Sequence, residues 1–246
     1  MGHKKLIRFQ AIQSFANVLQ YPENMAGHWK DFFKNDHPLT LELACGRGEY
    51  TVGLSKLYPH RNFVGVDLKG NRIYSGALEC LQQGLSNAAF LRIQIDKLDQ
   101  YFLPGEVSDI WITFPDPHLR TSRAKKRLTH PRFLRLYQHI VKPGGLIHLK
   151  TDSPSLFYFT RLMADLYELD IHEASENVYA RMNNASEIHI KTHYEKLDIA
   201  QSRQVYYLSF TLPEKPIPLP GIQLQELLKQ IEKTEQRQNA SEKEPG

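Results

Sequence analysis

Five short runs of apolar and β-branched residues recur along the chain: LTLELA (39–44), NFVGVD (62–67), AAFLRIQ (88–94), DIWITF (109–114) and LIHLKT (146–151). Between them apolar residues return at helical spacing, as in Tyr50, Leu54, Leu57; Ile73, Ala77, Leu81; Phe133, Leu136, Ile140; and Leu156, Phe159, Met163, Leu166. Near-continuous apolar strands are covered on both faces, and parallel neighbours need a crossover between them. The alternation therefore predicts an α/β fold, a mostly parallel sheet with helices on both faces. A last run, QVYYLSFTL (204–212), follows a polar, irregular stretch and suits an added edge strand. Beyond it, residues 222–234 can form a short helix through Leu224, Leu227 and Leu228, and EKTEQRQNASEKEPG reads as disordered. The chain divides into an N-terminal segment (1–38), a main domain (39–213) and a C-terminal tail (214–246).

With 41% apolar residues in 246, one large core can be filled. Two cysteines, Cys45 and Cys80, argue against a disulfide framework or a cysteine-rich zinc site, and suit a reducing compartment. The eleven histidines show no H-E-x-x-H arrangement, so no metal is expected. No stretch has the length of a membrane span, and MGHKKLIRFQ lacks the apolar core of a signal peptide. A cytoplasmic protein, without a membrane partner and either monomeric or homodimeric, is the expectation. The net charge of +4 is concentrated: from Pro117 to Thr151 there are nine Lys or Arg and no acid. Such a block is either a solvated face or a grip on a polyanion. Lys4, Lys5 and Arg8 extend the same choice to the N-terminal segment, as a solvated arm or a further set of phosphate contacts.

LELACGRGEY sits where the first strand turns into the first helix. Glycines there, Gly46 and Gly48, let the backbone approach a ligand, and the helix offers free amides; a plain tight turn would read the same. Asp67 ends FVGVD, where an acid can take both hydroxyls of a ribose or can cap the helix opening at LKGNR. Asp96 follows the third strand, placed to reach an adenine amino group or merely to face solvent. Ala44 occupies the place of a dinucleotide loop's first glycine, and Glu42 would repel a pyrophosphate. S-adenosylmethionine carries a sulfonium and an amino group and no phosphate, so the turn favours it over NAD, and the missing G-K-[ST] excludes a P-loop.

Ligands of open α/β sheets bind beyond the carboxyl ends of the strands. FPDPHLRTSRAKKRL (114–128) begins at such an end, and its two prolines fix the backbone on either side of Asp116. PDP is also a common surface turn. Asp152 ends the fifth strand in KTDSP, where it can serve a ligand or cap the helix near Pro154.

Taken in order, LELACGRG, FVGVD, FPDPH with its basic run and RLT, HLKTD, and THYE (192–195) resemble the bacterial tRNA (guanine-N7-)-methyltransferases of the TrmB type. The resemblance covers residues 39–212. It implies a Rossmann-like class I methyltransferase domain with a mostly parallel seven-stranded sheet. It also implies transfer of the S-adenosylmethionine methyl group to N7 of guanine at position 46, in the variable loop of tRNA. By matching positions, Glu42, Gly46, Gly48, Asp67, Asp96 and Asp116 hold the cofactor, with Asp116 also catalytic. Arg120, Asp152, Thr192, His193, Tyr194 and Glu195 contact the guanine or its nucleotide, while Arg123, Lys125, Lys126 and Arg127 meet tRNA phosphates. Where the family usually reads D-P-W-P-K, this chain has Asp116, Pro117, His118, Leu119 and Arg120, and His193 fills the basic slot of T-[RK]-[YF]-E. The alternatives are a methyltransferase acting on another RNA base or an amino group, and a non-catalytic RNA-binding module on the same scaffold.

Overall fold

The computed structural model describes residues 2–180, 186–193, 195, 204–218, 224, 226 and 229. Its strands are β1 (Val18–Gln20), β2 (Leu39–Leu43), β3 (Asn62–Val66), β4 (Ala88–Arg92), β5 (Asp109–Thr113), β6 (Leu146–Thr151), β7 (Asp170–Ser175) and β8 (Tyr206–Thr211). The helices are α1 (Gly2–Ala11), α2 (Trp29–Phe33), α3 (Glu49–Leu57), α4 (Gly70–Gln83), α5 (Pro131–Ile140) and α6 (Pro154–Tyr167). The strands form one sheet in the order β1-β4-β3-β2-β5-β6-β8-β7, parallel except for β8, which runs antiparallel to both neighbours. The order reverses between β2 and β5, which opens the crevice in which such sheets bind ligands.

Three features differ from the sequence expectation. There are eight strands rather than seven, because the N-terminal segment adds β1 beside β4. Three residues are too few for a periodic signal. The run at 204–212 is no edge strand: β8 lies between β6 and β7, which explains its buried face-to-face pattern. The true edge, β7, reads DIHEAS, polar and mostly part-exposed, so it carried no apolar signature; charged side chains on an outer strand deter pairing with another chain. Residues 2–11 are not a loose arm but helix α1, docked on α4, with the Arg8 guanidinium 5.6 Å from the Tyr74 ring centroid. The short helix read at 222–234 lies outside the described residues apart from Leu224, Glu226 and Lys229, and Leu224 is buried against the main core.

Strand residues alternate between two cores. Val64, Leu91, Ile110 and Ile112 face the cluster built with α2, α5 and α6. Phe63, Phe90 and Trp111 point the other way, to the clusters under α3 and α4. Each such side chain stabilises the fold by about 1.5–3 kcal/mol on burial. Phe90 also fixes the glycine turn above it. A Cβ on Gly48 would come within 2.4 Å of the Phe90 ring, and Gly48 has φ +77°. Gly46 also has positive φ, +57°, but a Cβ there would meet nothing nearer than the Ala44 carbonyl oxygen at 3.9 Å.

The two glycines should therefore separate in urea unfolding. Gly48→Ala is expected to cost roughly 2–3 kcal/mol from overpacking and strain together, and Gly46→Ala about 1 kcal/mol from strain alone.

Candidate active site

Between β2 and α3 the backbone enters the left-handed region three times, at Ala44 (φ +56°), Gly46 and Gly48. Only glycine does so freely, so the strained alanine shows how tightly the turn is specified. The Gly46 N–H donates to Asp67 Oδ2 at 3.0 Å, and the Lys69 N–H donates to Asp67 Oδ1 at 2.8 Å. Asp67 is thus fixed at the end of β3 and does not cap α4, whose cap position is Lys69. One lone pair remains on each of its oxygens. The turn, Asp67, and the ends of β4 and β5 enclose a cavity of about 510 Å³, within the usual size of a small-ligand site.

Gly46, Asp67, Asp96 and Asp116 line this cavity, and Glu42 and Gly48 do not. Glu42 lies beneath the floor, 3% exposed, where its Oε2 accepts from the Thr51 amide (2.8 Å) and hydroxyl (2.6 Å) and its Oε1 from the Thr113 hydroxyl (3.0 Å). Burial pushes its carboxyl up to about 7, against the pull of those donors. The expected repulsion of a pyrophosphate by Glu42 is weakened accordingly, since the group faces inward and burial disfavours its charged form. Gly48 is a packing position.

Asp96 lies in the first turn of a short 3-10 segment, Ile95–Gln100, and stands 3.5 Å from the Arg132 guanidinium. Asp116 is more open than Asp96, with a side chain 73% exposed against 51%, and one of its oxygens accepts the His118 N–H at 3.0 Å. Its loop is strained at both ends, Phe114 at φ +45° and His118 at φ +44°. Arg127 holds that shape. Its guanidinium donates to the carbonyls of Pro117 (3.1 Å), His118 (3.3 Å) and Leu119 (3.3 Å) and lies 4.5 Å from the centroid of the Phe159 ring. At 5% exposure it is a clamp on the Asp116 loop, which corrects its assignment to tRNA phosphates. Lys150 likewise leaves the nine-cation block, because it is fully buried. Arg120, Arg123, Lys125 and Lys126 are exposed, on or beside the 3-10 segment Thr121–Lys126, and Lys126 reaches the cavity rim.

THYE has a local role that its residue types encode. The Glu195 N–H donates to Thr192 Oγ1 (3.2 Å), and the Thr192 N–H donates to Glu195 Oε2 (3.3 Å), a reciprocal capping box. Thr192 lines the cavity, His193 donates its N–H to Glu49 Oε1 at 3.2 Å, and Tyr194 lies outside the described residues. Asp152 is half-buried and does not cap α6, because Ser153 takes that place, accepting the Leu156 N–H at 3.2 Å. Its charge instead acts on Glu195. Glu49 and Arg72 carried no functional reading in the sequence, and Arg132 counted only as one of the nine cations, yet all three are on the cavity wall. An acid in a helix's first turn ordinarily offsets the dipole, so Glu49 carried no separate signal. Among the described residues, no three His, Cys, Asp or Glu converge as a metal site requires, and no helix is long and apolar enough to cross a membrane.

Comparison with known proteins bears on this geometry. Residues 36–208 match the family described as "Putative methyltransferase". The tRNA (guanine-N(7)-)-methyltransferase of Porphyromonas gingivalis is 47% identical over 215 residues, covering 82% of this chain and 87% of that protein. Among solved structures, the 16S rRNA methyltransferase KamB superposes with a TM-score of 0.59 at 14% identity, covering 80% of this chain and 99% of that one. A 16S rRNA (adenine(1408)-N(1))-methyltransferase mutant from Catenulisporales acidiphilia, solved with cosubstrate SAM, gives 0.51 at 13%, covering 78% and 93%. At these identities the structural matches establish the class I methyltransferase fold.

The raised Glu42 carboxyl has a measurable sign. The folded state binds the proton more tightly than the unfolded one, so its contribution is full below pH 4.5 and is lost as pH rises through about 7. Glu42→Gln, whose amide the Thr113 hydroxyl can turn to accept, should remove roughly 2–3 kcal/mol of that decline. Thermal melts from pH 5 to 8 would show a flatter profile for the variant.

Proposed function

Because the chain belongs to the tRNA (guanine-N(7)-)-methyltransferase family, we propose that it methylates N7 of the variable-loop guanine, position 46, giving 7-methylguanosine. It is an S-adenosylmethionine-dependent methyltransferase. The observation that carries the finer reading is the open Asp116 carboxylate, at the mouth of a cofactor-sized cavity beside four exposed cations.

The residues present fit the cofactor. Asp67 keeps one lone pair per oxygen for the two ribose hydroxyls, Asp96, on the cavity wall, would accept from an adenine amino group, and the Gly46 turn leaves open space. When bound, S-adenosylmethionine supplies an electrophilic methyl group on a sulfonium. N7 of guanine carries an in-plane lone pair and no proton at neutral pH, so the chain needs no general base. Its task is alignment, worth effective molarities on the order of 10⁵ M or more, and an environment suited to the positive charge the purine gains. Asp116 would accept from the guanine N1–H and exocyclic amine with the lone pairs that His118 leaves it, and its charge favours the cationic product ring. Phe114, on the cavity wall, offers a ring for the base to stack on. Arg120, Arg123, Lys125 and Lys126 would hold the adjoining phosphates, while Asp152 and the Thr192 to Glu195 segment complete the acceptor side. A cytoplasmic enzyme, monomeric or homodimeric and without a metal, belongs to the same proposal; the buried free thiols Cys45 and Cys80 suit a reducing compartment.

Labelled S-adenosylmethionine and unmodified tRNA, followed by borohydride and aniline cleavage, should yield strand scission at the variable-loop guanine. Scission elsewhere, or label without scission, would overturn the assignment. Asp116→Ala should lose at least about 100-fold in kcat with an unchanged melting temperature. Lys126→Ala and Arg123→Ala should each weaken tRNA binding and reduce the slope of log Kd against log salt by about 1.

A further inference from the structure

Lys150 sits in β6 with none of its surface exposed, an unusual place for an ammonium group. Its three donors are all used: Nζ donates to the Ile188 carbonyl (2.8 Å), the Ile190 carbonyl (3.0 Å) and Glu195 Oε2 (3.0 Å). Three rings surround it, with centroids 5.4 Å (Tyr50), 5.6 Å (Phe114) and 5.8 Å (Tyr179) away. Glu195, whose side chain is 6% exposed, receives the Tyr179 hydroxyl on its other oxygen and closes the capping box with Thr192.

We infer that Lys150 is a positioning residue for the reaction: through Glu195 it fixes Thr192, on the cavity wall, against the Phe114 wall, and so sets the acceptor base in line with the methyl donor. This rests on the transferase reading above. The ammonium touches no part of the cavity itself, but Phe114 and Thr192 both line it, and Lys150 contacts the first directly and the second through Glu195.

Stability is a poor reason for such an arrangement. A buried ion pair is often no better than apolar groups of the same shape, because both ions lose their water. Here burial lowers the Lys150 pKa and raises that of Glu195, with each partner opposing the trend of the other, and the nearby Asp152 charge adds to the rise on Glu195. What the cluster supplies is geometry. Two backbone carbonyls two residues apart and one carboxylate, gathered on a single point charge in the sheet, leave Ile188, Ile190 and Glu195 one position, and with Glu195 the Thr192 that lines the cavity. A displacement near 1 Å at a reacting centre costs on the order of 100-fold in rate, which is the scale a positioning residue governs.

Lys150→Met replaces the ammonium by an apolar chain of similar length. The variant should keep its donor affinity within about threefold by calorimetry, while kcat/KM for tRNA falls about 100-fold or more. Amide exchange in residues 188–195 should accelerate at least about tenfold with β2 to β5 unchanged. Glu195→Gln, which leaves the ammonium its two carbonyls, should move both readouts in the same direction by less, and serves if Lys150→Met fails to fold. The double variant should be no worse than Lys150→Met alone, because the pair acts as a unit. Unchanged exchange at 188–195, or donor affinity falling in step with turnover, would overturn the inference and leave Lys150 a support of the whole fold. If the wild-type enzyme instead gave no 7-methylguanosine, the functional reading would fail, and the exchange measurement would still decide whether Lys150 holds the segment.

Discussion

Glu42 is the junction on which the site depends. One carboxyl group at the centre of the sheet receives three donors from two elements, the amide and hydroxyl of Thr51 on α3 and the hydroxyl of Thr113 at the end of β5. It thereby ties the strand before the glycine turn to the helix after it and to the strand that leads into the Asp116 loop. Two stretches of the cavity wall are suspended from that arrangement: Asp67 through the Gly46 amide, and Phe114 and Asp116 through the strand end. A group buried so completely has to be saturated with partners, and its carboxyl, pushed up to about 7, shows that desolvation outweighs even three donors.

The central strands and the four crossing helices were legible because burial on both faces leaves unbroken apolar runs and leaves helices with one apolar stripe. Asp67 and Asp116 were legible from their places at strand ends. The strands at the margins were not. β1 is three residues long, and β7 faces solvent with Asp170 and His172, so neither carries the pattern that burial writes. Strand order also lies beyond local pattern, since nothing in 204–212 tells an edge from an inserted strand.

Charge counting failed for a related reason. The run of nine cations is continuous in sequence, but the fold divides it between surface and interior. Arg120, Arg123, Lys125 and Lys126 face solvent; Arg127 turns inward to three carbonyls, and Lys150 to two carbonyls and a carboxylate. A cation's function is set by the acceptors within its reach, which sequence distance does not report. THYE makes the same point from the other side: a motif attributed to the substrate also obeys the rules of a capping box, which constrain its threonine and glutamate whatever they bind.

The insertion of β8 between β6 and β7 carries a consequence for biosynthesis. As the chain leaves the ribosome, β2 to β6 can pair as they appear, yet the flank of β6 that carries Lys150 has no partner until residues 206–211 emerge. Until then the nascent chain presents an unfinished sheet margin, with its backbone donors and acceptors open to neighbouring chains. Completion of the sheet is therefore a late event, and the aggregation-prone interval of synthesis ends when the closing strand is threaded into place.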